Sequence, residues 1–152
     1  MPAVELVRLQ NDTQRLLELF HQPDAFVLRL QELLDFLSDH TARAGQSGAP
    51  RPLMRAYNVP RHLLAYITRE ACRRAASEPP AALALIPALW APEYLELRLM
   101  AAAMLGSLPA QPPEPVLAVV DGWLAGSPEQ RLLQTILTDG LAAVRREQPQ
   151  AL

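Results

Sequence analysis

Glu93-Tyr-Leu-Glu-Leu-Arg-Leu-Met-Ala-Ala-Ala-Met-Leu-Gly106, introduced by Leu89-Trp-Ala-Pro92, is the stretch on which the fold turns. It reads as one helix from Pro92 to about Leu108, with proline in its first turn and glycine at its end. An N1 proline has no hydrogen bond to lose, and glycine accepts the left-handed conformation that closes many helices. The paired alanines, Ala101 and Ala102, allow a neighbouring helix to approach closely, and the leucines fill the space on either side.

Composition sets the frame around that helix. The chain has 152 residues, half of them hydrophobic but only 5% aromatic, and leucine and alanine together make up about a third of it. Side-chain entropy alone then favours helix over sheet. The fifteen prolines fall mostly between apolar periodic segments or in first turns, where they punctuate short helices. One domain of this length buries a core without staples. Cys72 is alone, so a disulfide framework or a cysteine metal site within one chain is excluded. The net charge of −2 points to neither a nucleic-acid sponge nor an acidic tail, and all fourteen basic residues are arginine. The first residues lack the basic start and apolar core of a signal peptide, and no apolar run approaches the ~20 residues of a membrane span. A soluble, cytoplasmic protein is the expectation.

Along the chain, apolar residues at helical spacing predict helices over about 3–20, interrupted near Asn11-Asp-Thr13, and 24–44. The stretch 45–58 reads as a loop after these N-terminal helices, with Asn58 as the N-cap of the next one, which runs to about Ala76. Pro79-Pro80 opens a helix to Trp90, with a kink expected at Pro87. Val116 to about Leu124 forms another. Ser127-Pro-Glu-Gln130 is a capping box that starts a last helix through Gly140. Starts near 60, 92 and 128 recur at roughly the period of helix-pair repeats. Leu97-Arg98, Ala101-Ala102 and Leu105-Gly106 also follow the Val-Arg-x-x-Ala-Ala-x-x-Leu-Gly pattern of a HEAT repeat helix, and so resemble it. Arg131 takes the place of Arg98 in the next repeat, although Gln134-Thr135 stand where the alanines stood. The expected fold is all-α: a short right-handed HEAT-like α-solenoid of about seven helices, a single domain with its repeats over 59–152.

A second resemblance is to a family. Met54-Arg-Ala-Tyr-Asn-Val-Pro60, Leu89-Trp90 and Glu96-Leu-Arg98 with the alanine run look like the front half of the DNA alkylation-repair glycosylases built from HEAT-like repeats. The resemblance covers about Leu53 to Leu108. It implies a nucleic-acid-binding relative, with or without residual base excision. The family's Trp-Trp-Asp-x-Val-Asp segment, which supplies aromatic faces and a carboxylate, is not matched. Asp121 and Trp123 are present in another order and spacing, and the length leaves no room for the later repeats that complete the family's cleft.

The candidate binding surface is Arg69, Arg73, Arg74, Trp90, Arg98, Trp123 and Arg131. Residues 51–77 hold six arginines against Glu70, so this segment carries +5 and the remainder −7. Arg69, Arg73 and Arg74 are neighbours on a helix, either as a phosphate-binding patch reaching from Arg51 to Arg74 or as a solvated face. Arg98 and Glu96 read as structural ties, and Trp90 as a side chain packed between helices. His21, His40 and His62 are scattered, so no metal site is expected, and no cofactor either. Ser127 is explained by its capping box. Cys72 beside Arg73 has either a lowered pKa or a buried, inert thiol. The leading function is a non-catalytic module binding a protein or peptide. The alternatives are DNA binding through the arginine segment, and a homodimer closed through the C-terminal helix.

Overall fold

The structure is a computed structural model and describes residues 3–38, 54–110, 112–126 and 130–152, with backbone only for Val4 and Arg131. Its helices are α1 (Ala3–Leu17), α2 (Pro23–Leu37), α3 (Arg61–Ser77), α4 (Pro79–Trp90), α5 (Leu95–Gly106) and α6 (Glu114–Ala125). α7 (Gln130–Thr135) passes into a turn of π-helix, Ile136–Gly140, which leads to α8 (Ala142–Glu147) and a closing 3-10 turn, Pro149–Ala151. Among the described residues the chain is all-helical, and extended backbone pairs only at an isolated bridge between Arg55 and Tyr94.

Local chemistry explains where the helices depart from the expected boundaries. α1 runs unbroken through Asn11-Asp-Thr13, because the Thr13 hydroxyl donates to the Leu9 carbonyl at 2.7 Å and is buried there. α2 ends at Leu37, where the Ser38 hydroxyl donates to the Asp35 carbonyl at 2.8 Å. The rest of the expected helix to Ala44, the loop to Leu53 and Ser127-Pro-Glu129 of the capping box lie outside the described residues. Asn58 is not an N-cap. It sits at φ +58° in the left-handed region, which asparagine tolerates better than most, and α3 starts three residues later behind Pro60. Pro87 lies within α4 at an exposed position, where its ring replaces the N–H that would have reached the Leu83 carbonyl.

α5 is the centre of the molecule. Nine of its residues, from Leu95 to Gly106, are buried, which makes it apolar almost all round, as a core helix is. It starts at Leu95 and not at Pro92, because the Leu95 N–H is taken by the Arg55 carbonyl at 2.9 Å and Tyr94 pairs with Arg55 in extended form. Gly106 is also there for a reason other than a left-handed cap. A Cβ built on it would lie 1.7 Å from the Asp139 carbonyl oxygen, so only glycine lets the π turn cross the end of α5. Gly140 in that turn approaches the Ala102 carbonyl, and a Cβ there would sit 3.9 Å from it. The final helix, expected to be continuous, is therefore broken into α7, the π turn and α8, the kind of bulge that lets a helix bend around a close neighbour.

Helices pack on near neighbours in the chain. α1 packs on α2 and α3, α2 on α4, α3 on α4 and α5, α4 on α5, and α5 on α7, the π turn and α8. α6 packs on the π turn and reaches α4 through a tryptophan pair. α1, α3, α5 and α7 thus follow one another in contact, and α2 rests on α4, which meets α6 through the tryptophan pair. In the C-terminal run Val144 is fully buried, whereas Leu137 is 38% exposed, so these two residues do not share one open face.

The close crossing yields a stability test. Gly106→Ala is expected to cost about 3 kcal/mol through overpacking against backbone, whereas Gly122→Ala, with nothing within 4 Å of the added Cβ, gains up to about 1 kcal/mol of helix propensity. Urea denaturation of the two variants measures both.

Candidate functional site

The segment before α3 is held by α5 through one carboxylate. Glu96, in the first turn of α5, is 5% exposed. Its two oxygens accept the backbone N–H groups of Tyr57 and Asn58, each at 2.9 Å. Successive N–H groups pointing at one anion form a small nest, and the left-handed Asn58 helps turn them the same way. Tyr57 stacks on Tyr94 with ring centroids 4.5 Å apart, and the Arg55 guanidinium lies 4.8 Å over Tyr94. Burial, then the neighbouring Tyr94, pushes the Tyr57 phenol up to about 12. Gln31 and Asp35 of α2 also act on it, so the same ring bridges from this segment to α2.

A second constellation gathers the two tryptophans and an arginine. Trp90 at the end of α4 and Trp123 of α6 are stacked at 4.2 Å with planes 7° apart. The Arg98 guanidinium lies 4.7 Å from the Trp90 ring and its Nε donates to the Trp90 carbonyl at 2.9 Å. The Trp123 ring covers one face of Trp90. Burial pulls the Arg98 guanidinium below the ordinary arginine value, partly offset by Glu93. Trp90, Arg98 and Trp123 are thus brought together, as a fastening of α4, α5 and α6.

The arginines of α3 divide. Arg74 faces inward: it reaches the Leu17 carbonyl at 3.4 Å and Glu78 at 3.5 Å, and lies 5.9 Å over Phe20. Glu78 in turn meets His21 at 2.8 Å, so this cluster ties the α1–α2 turn to the α3–α4 turn. Arg69 and Arg73 are exposed with His62, one above another at helical spacing on the outward face of α3. Arg73 is 3.4 Å from Glu70, and Arg69 lies over Tyr66 at 5.8 Å. The Arg131 side chain and Arg51 lie outside what the structure describes. Burial pushes the Cys72 thiol up, which keeps it protonated and inert at neutral pH. Among the described residues no three His, Cys, Asp or Glu side chains are grouped to hold a metal, and no helix is long and apolar enough to cross a membrane.

One surface escaped the sequence reading. α4 carries no charged residue, and its outward face presents Pro80, Leu83, Ala84 and Pro87. The signal was present as an apolar helix with no polar side. At its N-terminal end a groove of about 530 Å³ lies between Phe20, His21, Pro23, Glu78, Pro80 and Ala84. The chain matches no family model, no curated protein and no solved structure.

Two variants probe these fastenings. Glu96→Gln presents an NH2 group to one of the two N–H donors, and is expected to lose about 2 kcal/mol in thermal denaturation. The raised Tyr57 pKa means that the folded state holds this proton more tightly than the unfolded one. Its contribution is full below pH 10 and is lost as pH rises toward 12. Tyr57→Phe is therefore expected to show a shallower fall in stability over that alkaline window, measured by urea midpoints.

Proposed function

We propose that the chain is a non-catalytic interaction module, built as a short right-handed HEAT-like solenoid, that holds a protein or peptide partner. The local order of helix packing supports the repeat reading, since over α1 to α5 contacts join helices one or two apart in the chain. Starts of α3, α5 and α7 at Arg61, Leu95 and Gln130 fit the repeat spacing. The observation that carries the functional reading is how the side chains are employed. Glu96, Arg98, Arg74 and both tryptophans spend their polar and aromatic groups holding helices together. Meanwhile α4 turns an uncharged apolar stripe to solvent, and exposed apolar stripes on helical arrays are where partners dock.

A second reading has its own observation. His62, Arg69 and Arg73 line the outward face of α3, and that stripe could follow a phosphate backbone, as the resemblance to the alkylation-repair glycosylases implies.

Affinity capture on the intact chain tests the first reading, with Leu83→Asp plus Ala84→Asp as the comparison. A partner held by the original chain and lost by the variant, at unchanged melting temperature, is the expected result. Release of methylated base from duplex DNA would overturn the non-catalytic reading. For the second, duplex binding should weaken steeply as salt rises. Arg69→Ala with Arg73→Ala should lower the slope of log affinity against log salt by about 2. Absence of duplex binding at low salt removes it.

A further inference from the structure

α3 turns its charge to one side. Arg61, His62, Ala65, Arg69, Arg73 and Ala76 are all exposed, and at 3.6 residues per turn they fall within an arc of about 120°. Ile67, Ala71 and Ala75 are fully buried on the other side, so the outward direction is fixed by this helix alone. The helix holds four arginines against Glu70, and of these Arg74 is already engaged with the Leu17 carbonyl and Glu78. Among the described residues Arg61, His62 and Arg69 meet no carboxylate, and Arg73 meets only Glu70, at 3.4 Å. Arg61 and His62 stand in the first turn, where the helix dipole disfavours positive charge, and that turn has no acidic residue. Helix stability therefore does not account for them.

Resting on the interaction-module reading, we propose that this face of α3 holds an extended, carboxylate-rich segment of a partner protein. A guanidinium presents paired N–H donors that match the two oxygens of a carboxylate. From Arg61 to Arg73 the helix rises about 18 Å, at ~1.5 Å per residue. Alternate side chains of an extended chain stand ~6.6 Å apart. That spacing is close to the ~6 Å rise between Arg69 and Arg73 and, over two steps, to the ~12 Å between Arg61 and Arg69. Alternate acids therefore reach Arg61, Arg69 and Arg73 in register. Ala65 and Ala76 put no bulk between the arginines, which lets the backbone of the segment come close. The charge of the other helices argues against nucleic acid as the occupant. None of them has an excess of more than one basic residue, and α2 and α6 have an acidic excess. A long polyanion thus finds no second helix of this kind to continue along, whereas a short acidic segment needs none.

The experiment uses the full chain and two labelled peptides of about nine residues, enough to span the face when extended. One alternates glutamate with serine; the other has glutamine in place of each glutamate. Anisotropy at low ionic strength is expected to show binding of the glutamate peptide, weakening as salt rises, and none of the glutamine peptide. Arg69→Glu with Arg73→Glu should weaken it at least about tenfold, at unchanged melting temperature. Ala65→Glu, which removes no arginine, should weaken it about threefold. Leu83→Asp with Ala84→Asp on α4 should leave it unchanged. Glutamate-peptide binding that survives Arg69→Glu with Arg73→Glu overturns the assignment. So does a short DNA duplex that displaces the peptide and binds at least about tenfold more tightly through the same arginines, since nucleic acid is then the occupant. Failure of the glutamate peptide to bind also overturns it, and leaves the module reading to the α4 variants, whose result does not depend on this face.

Discussion

A buried carboxylate is tolerable only when its charge is matched, and Glu96 is matched by backbone. The two N–H groups at Tyr57 and Asn58 that satisfy it belong to a segment with no helix of its own. That single exchange fixes the entry to α3 and frees the N-terminus of α5 to sit at the centre of the core. A charge-assisted hydrogen bond is shorter and stronger than a neutral one, and here two of them act on one anion. The other end of α5 is fixed by absence of volume at Gly106, where the Asp139 carbonyl occupies the space that a side chain would need. Between these ends the helix needs only apolar neighbours, which α3, α4 and the C-terminal run supply.

Such a centre accounts for what the polar side chains near it do. Arg98 lies beside a tryptophan and spends its Nε on a carbonyl at the end of α4, which leaves that carbonyl satisfied where the helix runs out of partners of its own. Arg74 performs the same service for the end of α1 at Leu17. Each arginine acts at a helix C-terminus, where positive charge suits the dipole. Helix ends that meet neighbours in this way need few capping side chains of their own, and no side-chain cap is formed at the start of α2, α3, α4, α5 or α6.

The all-helical class was legible because apolar periodicity and composition agreed, and α3, α4 and α6 fall close to where spacing put them. The structural roles of Glu96, Arg98 and Trp90 were legible as well, since a carboxylate and an arginine within an apolar helix must find partners. The partners themselves were not. Nothing local announces that Tyr57 and Asn58, thirty-nine and thirty-eight residues earlier, will face Glu96. Asn58 read as a cap because asparagine suits both caps and left-handed backbone, and the sequence carries no sign of which is used. Gly106 read as a terminator for the same reason: tight crossing and left-handed closure both call for glycine, and only the neighbour decides. The break in the last helix follows from that neighbour, so periodicity over 130–147 could not show it.

The uneven charge of the sequence takes on a spatial meaning in this arrangement. Residues 51–77 carry +5 and the rest −7. On the outward face of α3 the excess is basic, through Arg69 and Arg73. The exposed charges of α2 and α6 are mostly acidic, and α4 has no charge at all. α1, in contact with both α2 and α3, is mixed, with Glu5 and Asp12 against Arg8 and Arg15, so the segregation follows individual helices. A net charge near zero conceals this, because it sums over surfaces that face different surroundings. Helices of opposite sign recognise different chemistry, and the apolar stripe belongs to α4, which carries no charge.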